Sequence, residues 1–252
     1  VASAAVTLEY RFNVDPGWTP EGELFLAIEQ PQTYTISLNG YQLPTDLECG
    51  WWVDRSLKRI PVPLTSLRPG SNIVTVHCAS YHPDHPGFEI IYLLGRFGVQ
   101  LPANDSPCLS TMPQTLRPGD ICKQGFPFYS GNITFHFPLQ VCFEPGQKVM
   151  VEIPDFAGSA LQVLVDNQPV ASLAWPPYSA DITAYLQPQC EHRLSIQVIG
   201  HRRNSHGPLH LKDPHPRWTG PYQFRSGGDE WSDSYVLHPI GLQANPTIHI
   251  LE

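Results

Sequence analysis

Two clusters in this chain pair flat aromatic rings with planar hydrogen-bonding groups, the combination that recognises carbohydrate. An indole or phenol offers an apolar face to the C–H side of a pyranose, and Arg, Asn, Asp and His bond its hydroxyls. The first cluster holds Trp175 and Tyr178 in Trp175-Pro176-Pro177-Tyr178, joined one strand later by Arg202, Arg203 and Asn204. The second holds Trp52 and Tyr81, with Trp51, Asp54 and the loop His82-Pro83-Asp84-His85. Each cluster also has a purely structural reading. Trp175 and its prolines would close the end of a core while the Arg pair meets a neighbouring domain. Adjacent tryptophans on an extended segment point to opposite faces, so one of Trp51 and Trp52 belongs in a core and the other outside.

Other chemistry is poorly supported. His201, His206, His210 and His215, with Asp213 nearby, carry metal-ligand atoms. Their spacing, broken by Pro208 and Pro214, matches no helix face or zinc ribbon. No metal or cofactor is expected; a structural calcium at Gly227-Gly228-Asp229-Glu230-Trp231-Ser232-Asp233 is the alternative, although that run lacks the periodicity of a known calcium loop. The signatures G-x-S-x-G, H-E-x-x-H and the phosphate-binding loop are absent, so the chain is expected to be non-catalytic. Asp181 in Asp181-Ile182-Thr183 reads as a turn cap that accepts backbone amides.

Composition sets the class. Proline is 27 of 252 residues and charged residues are 15%, which favours short strands joined by many turns. A net charge of −8, with scattered basic residues, argues against nucleic acid and against an anionic membrane surface. No apolar run is long enough for a membrane helix. The six cysteines, at 49, 78, 108, 122, 142 and 190, form no C-x-x-C pair and read as buried free thiols rather than three disulfides. Asn104-Asp105-Ser106 and Asn132-Ile133-Thr134 fit the glycosylation triplet, which is common by chance. Val1 is followed by no start-like context, so the chain reads as a piece of a longer polypeptide, and Leu251-Glu252 as a remnant outside the fold.

Strands must position these residues. Leu8, Tyr10, Phe12 and Val14 alternate with polar neighbours, and Thr33 to Leu38 alternates into Asn39-Gly40, a strong hairpin signal. Ile73 to His77 and Phe88 to Leu94 complete the first half. The same order returns as Asn132–Phe137, Lys148–Ile153, Leu161–Asn167, Trp175–Leu186, Arg193–Val198 and Tyr235–Leu242. No stretch of 11 or more residues keeps a helical period without proline. The reading is an all-β chain of two tandem antiparallel β-sandwiches over residues 1–100 and 121–252. A proline-rich crossover fills 101–120, and the second unit carries a long insertion over about 201–231.

The phrase Asp181-Ile182-Thr183, Leu186, Arg193-Leu194-Ser195-Ile196-Gln197-Val198, with its coarser copy Leu64-Thr65, Leu67, Pro69-Gly70, Asn72-Ile73-Val74-Thr75-Val76, resembles a family. It is similar to the galactose-binding-like jelly-roll domains attached to family 2-type and related glycoside hydrolases. It departs from their pattern at Gln189-Cys190-Glu191-His192, where Gly-Asn is usual. The resemblance implies a non-catalytic accessory region of a larger glycoside hydrolase, partnered by a catalytic barrel of the same parent chain and by carbohydrate. The alternatives are a free-standing carbohydrate-binding module and a structural β-sandwich that binds no sugar.

Overall fold

The structure is a computed structural model that describes residues 3–47, 49–85, 87–88, 90–103 and 106–252. The chain start at Val1 and Ala2, Asn104 and Asp105 of one glycosylation triplet and Glu89 of one expected strand lie outside the described residues. The chain is mostly β and divides into two compact units between Met112 and Pro113. No helix of the described residues is long and apolar enough to cross a membrane.

The N-terminal unit contains β1 (Ala4–Val14), β2 (Phe25–Glu29), β3 (Thr35–Leu38), β4 (Tyr41–Gln42), β5 (Trp51–Trp52), β6 (Asp54–Pro61), β7 (Gly70–Tyr81), β8 (Tyr92–Leu94), β9 (Gly98–Gln100) and β10 (Cys108–Ser110). One sheet runs β4-β3-β7-β1-β10-β9 and the other β5-β6-β2-β8. Alternation fixes which face is dry. Along β7 the residues Asn72, Val74, Val76 and Cys78 are buried while their neighbours are not. These apolar side chains join Ile36 and Leu38 from the same sheet and Leu26, Ile28 and Ile60 from the other in one core cluster.

The C-terminal unit contains β11 (Ile133–Gln140), β12 (Lys148–Glu152), β13 (Phe156–Ala157), β14 (Ala160–Val165), β15 (Gln168–Leu173), β16 (Ser179–Asp181), β17 (Glu191–Ile199), β18 (Gly241–Leu242) and β19 (Thr247–Leu251). Its sheets run β11-β17-β14-β15, β16-β12-β19 and β13-β18. Phe135, Val163, Ile196 and Val198 of the first meet Val149, Val151 and Ala180 of the second in its core.

Several expectations change. Cys108–Ser110, placed by sequence in the 101–120 crossover, is a strand whose Cys108 and Leu109 pair in parallel with Asn13 and Val14. Further on in that stretch, the Gly119 amide donates to the Leu242 carbonyl, and just beyond it the Ile121 amide donates to the Ile240 carbonyl. Leu251, set aside as a tail, pairs with Lys148 in β19. The expected strand Tyr235–Leu242 pairs only through Gly241 and Leu242. All six cysteines are reduced thiols, but only Cys78 is fully buried, and Cys142 and Cys190 are exposed.

A side-chain bracket sits at one end of each first sheet. The β3–β4 turn places Asn39 and Gly40 at φ 52 and 86, and the β14–β15 turn places Asp166 and Asn167 at φ 49 and 68. Two consecutive left-handed residues match the strand twist of a two-residue hairpin. Asn39 Oδ1 accepts the Ile73 amide, and its Nδ2 donates to Ser66 O and to Asn72 Oδ1. Asp166 Oδ1 accepts the Arg193 amide at 2.8 Å, and its Oδ2 meets His192 Nδ1 at 2.7 Å. The Gln187 amide donates to His192 Nε2. That nitrogen is therefore the acceptor, so the neutral ring carries its proton on Nδ1 and donates it to Asp166.

The His192 hydrogen bond, and then the Arg193 amide, hold the Asp166 carboxyl below the usual carboxylate range. A depressed folded-state value gives stability that is complete above the unfolded value of about 4 and is lost as pH falls through the folded one. In thermal melts from pH ~5 down to ~2, Asp166→Asn is expected to lose less stability than the unmodified protein over the same descent. Equal losses in the two proteins would remove this role for the bracket.

Candidate functional site

The register of the C-terminal unit places the first cluster. Leu161 on β14 lies opposite Leu173 on β15 and opposite Val198 on β17. The chain therefore leaves β15 and β17 at the same end of the sheet, two strand spacings or about 10 Å apart. Trp175 and the Arg202-Arg203 loop share that end. The Trp175 side chain is 81% exposed. Its loop is anchored on the far side, where Ile153 donates its amide to the Tyr178 carbonyl and β16 pairs with β12. Tyr178 itself packs on the core, edge-to-face with Phe156 at 4.9 Å. It supports the platform and does not share its exposed face.

Asn204 corrects the sequence reading. It lies in a single helical turn, Arg203–His206, and is fully buried. Its Nδ2 donates to His238 O at 2.8 Å and to Cys122 Sγ, and its Oδ1 accepts the His238 amide at 2.8 Å. All of its polar capacity on that side is spent on the fold, so it cannot reach a sugar. Asp181 keeps the role expected of it. Its Oδ1 accepts both the amide and the hydroxyl of Thr183, whose Oγ1 accepts the Val149 amide.

Arg202 and Arg203 are exposed at the mouth of a cleft of about 260 Å³, whose polar wall also includes His206, Asp213 and His238. Sequence reasoning missed this cleft, because Leu211, Val236 and His238 are scattered single residues with no periodicity. Burial first, and then Arg203 with the imidazoles of His201 and His215, pushes His238 down to about 4. His238 is thus neutral near pH 7. His210, another member of the histidine series, stacks on Trp231 at 4.4 Å and donates through Nδ1 to the Ser232 carbonyl. In the stretch weighed for calcium, Asp233 accepts the Trp231 indole N–H and Glu230 pairs with Arg225 at 3.8 Å. Among the described residues, no three His, Cys, Asp or Glu side chains converge as a metal site requires.

In the N-terminal unit Trp51 is exposed and Trp52 is half-buried, but neither joins the core. The pairing shifts between Trp51 and Trp52, and Val53 takes φ 64, so simple alternation fails there. Trp52 packs against Tyr92 at 4.6 Å. Tyr92 pairs with Ala27, on the opposite face from Leu26 and Ile60, so Trp52 covers the outward face of its sheet. Tyr81, on the other sheet, stacks on Phe88 at 5.5 Å and lies 5.0 Å from His85. His85 Nδ1 accepts the Gly87 amide and its Nε2 meets Cys78 Sγ. Trp52 and Tyr81 therefore stand in separate aromatic groups, each with packing work to do.

No protein-family model and no curated protein matches the chain. Solved structures do. A rhamnosidase from Novosphingobium sp. PP1Y is 18% identical over 99% of this chain and 22% of its own, with a TM-score of 0.39. An alpha-L-rhamnosidase from Streptomyces avermitilis is 13% identical over 79% of this chain and 22% of its own, at 0.32. A beta-D-glucuronidase from Dictyoglomus thermophilum is 15% identical over 47% and 19%, at 0.27. The chain spans about a fifth of the length of these enzymes.

Asn204→Ala would leave the His238 amide and carbonyl without their partner in a buried setting, a cost of about 2 kcal/mol. Limited proteolysis is expected to cut the 201–238 segment faster in this variant. An unchanged cleavage rate would show that Asn204 does not hold the segment.

Proposed function

We propose that this chain is a pair of galactose-binding-like jelly-roll sandwiches forming an accessory region of a larger carbohydrate-active enzyme. In this reading the C-terminal unit meets carbohydrate through Trp175. The carrying observation is the indole itself, 81% exposed on a loop anchored at Ile153 and Phe156. A large ring left in water at the end of a well-packed sheet offers a stacking face that costs little entropy to use.

The repeat is supported by the pairing order. The run β4-β3-β7-β1 of one unit matches β15-β14-β17-β11 of the other, and β6-β2-β8 matches β16-β12-β19. The Asn39 and Asp166 turns occupy the same place in both. The accessory reading agrees with the turn-capping geometry of Asp181, whose Oδ1 holds the Thr183 amide and hydroxyl.

Trp175→Ala is expected to abolish retardation of the chain in affinity gels cast with soluble polysaccharides, a loss of roughly tenfold in affinity for one stacked ring. No retardation of the unmodified chain on any polysaccharide would sink the carbohydrate reading.

A second reading, docking against a catalytic domain, rests on a different observation. Trp218, Tyr222 and Phe224 are 61%, 73% and 48% exposed within seven residues of sequence. Such neighbouring exposed aromatics mark interaction surfaces. Replacing all three by Ser is expected to lower binding of a hydrophobic dye by the isolated chain; unchanged dye binding would dismiss this surface.

A further inference from the structure

We propose that the cleft behind the Arg202-Arg203 turn binds an acidic monosaccharide, a hexuronate held by its carboxylate. Charge and shape both lead there. The chain as a whole is acidic, with a net charge of −8, yet this cleft presents two guanidinium groups against one carboxylate, Asp213. The described ion pairs all lie elsewhere: Arg11–Glu9, His192–Asp166, Arg225–Glu230 and His249–Glu152.

The partners of the two arginines differ. Arg203 donates through one nitrogen to the Pro214 carbonyl, which fixes its fork in place. Asp213, the local counter-charge, already accepts the His215 amide through Oδ1. Arg202 is exposed at the rim beside it. A planar fork on a held backbone suits a carboxylate, which it can engage through two parallel hydrogen bonds.

The remaining lining explains why the ligand is a sugar acid and not a bare anion. Leu211 and Val236 supply an apolar wall, and Thr219 a hydroxyl. At about 260 Å³ the cleft is smaller than sites for drug-sized ligands, which start at roughly 300 Å³. One pyranose ring suits that space better than a chain. His238 on the polar wall stays neutral near pH 7, because burial and the neighbouring Arg203 oppose its protonation. It can therefore bond a hydroxyl without adding charge.

This goes beyond the Trp175 platform and needs none of its residues. A gel with polysaccharide reads the platform, whereas titration with a monosaccharide reads the cleft, so either idea can fail alone. The test is isothermal titration of the whole chain with D-galacturonate and, separately, D-galactose. Galacturonate is expected to bind about tenfold more tightly than galactose, and its affinity to fall with added salt. Arg202→Gln should weaken galacturonate about tenfold, Arg202→Lys less, and the exposed Arg117→Gln not at all. Equal affinity for the two sugars, no binding of galacturonate, or a salt-independent affinity would overturn the proposal. So would full affinity in a folded Arg202→Gln protein; the salt series on unmodified protein decides the matter if that variant does not fold.

Discussion

Everything at the loop end of the C-terminal unit depends on a bond at the opposite end. The Asp166 side chain accepts the Arg193 amide of β17 and clasps His192, which fixes how β17 slides against β14. A slip of one residue would turn Ile196 and Val198 to solvent and bring Gln197 inside. It would also shift the point at which the chain leaves the sheet, and with it the arginine turn. The N-terminal unit uses the same device with Asn39 and Asn72, and Asn72 is completely buried.

The two brackets show what was readable in the sequence and what was not. Asn39-Gly40 announced its hairpin, because both residues tolerate a left-handed backbone. The departure at Gln189-Cys190-Glu191-His192 looked like a lost motif. Geometry shows a replacement: His192 accepts a backbone amide from the preceding turn and bonds the hairpin residue, as Asn72 does with Arg68 and Asn39. Asn72 takes both bonds at its carboxamide oxygen, whereas His192 accepts at Nε2 and donates from Nδ1, so different atoms fill the same place. No residue-by-residue comparison reveals such an equivalence.

Local alternation exposed most strands, since burial on one face leaves a period of two. It failed where burial comes from distant partners. Asn204 sits in a polar run, Arg202-Arg203-Asn204-Ser205, that reads as solvated, yet its partners are Cys122 and His238. Trp52 escaped because a bulge breaks the alternation on which its placement depended. The cleft was invisible for a related reason. Its segment from Gly200 to Pro239 is held largely by side-chain to backbone bonds, such as Lys212 Nζ to Asp229 O and His210 to Ser232 O, and only one isolated bridge joins Leu211 to Trp231. Such a segment has no period to detect.

The pairing of Lys148 with Leu251 sets an order of events. The first sheet of the C-terminal unit joins strands at most about 65 residues apart, whereas β12 also waits for a partner about a hundred residues away. Closing so long a loop is entropically costly, and non-local ladders of this kind form late. Until β19 arrives, β12 keeps one edge open beside β16, and Val149 and Val151 lack part of their cover.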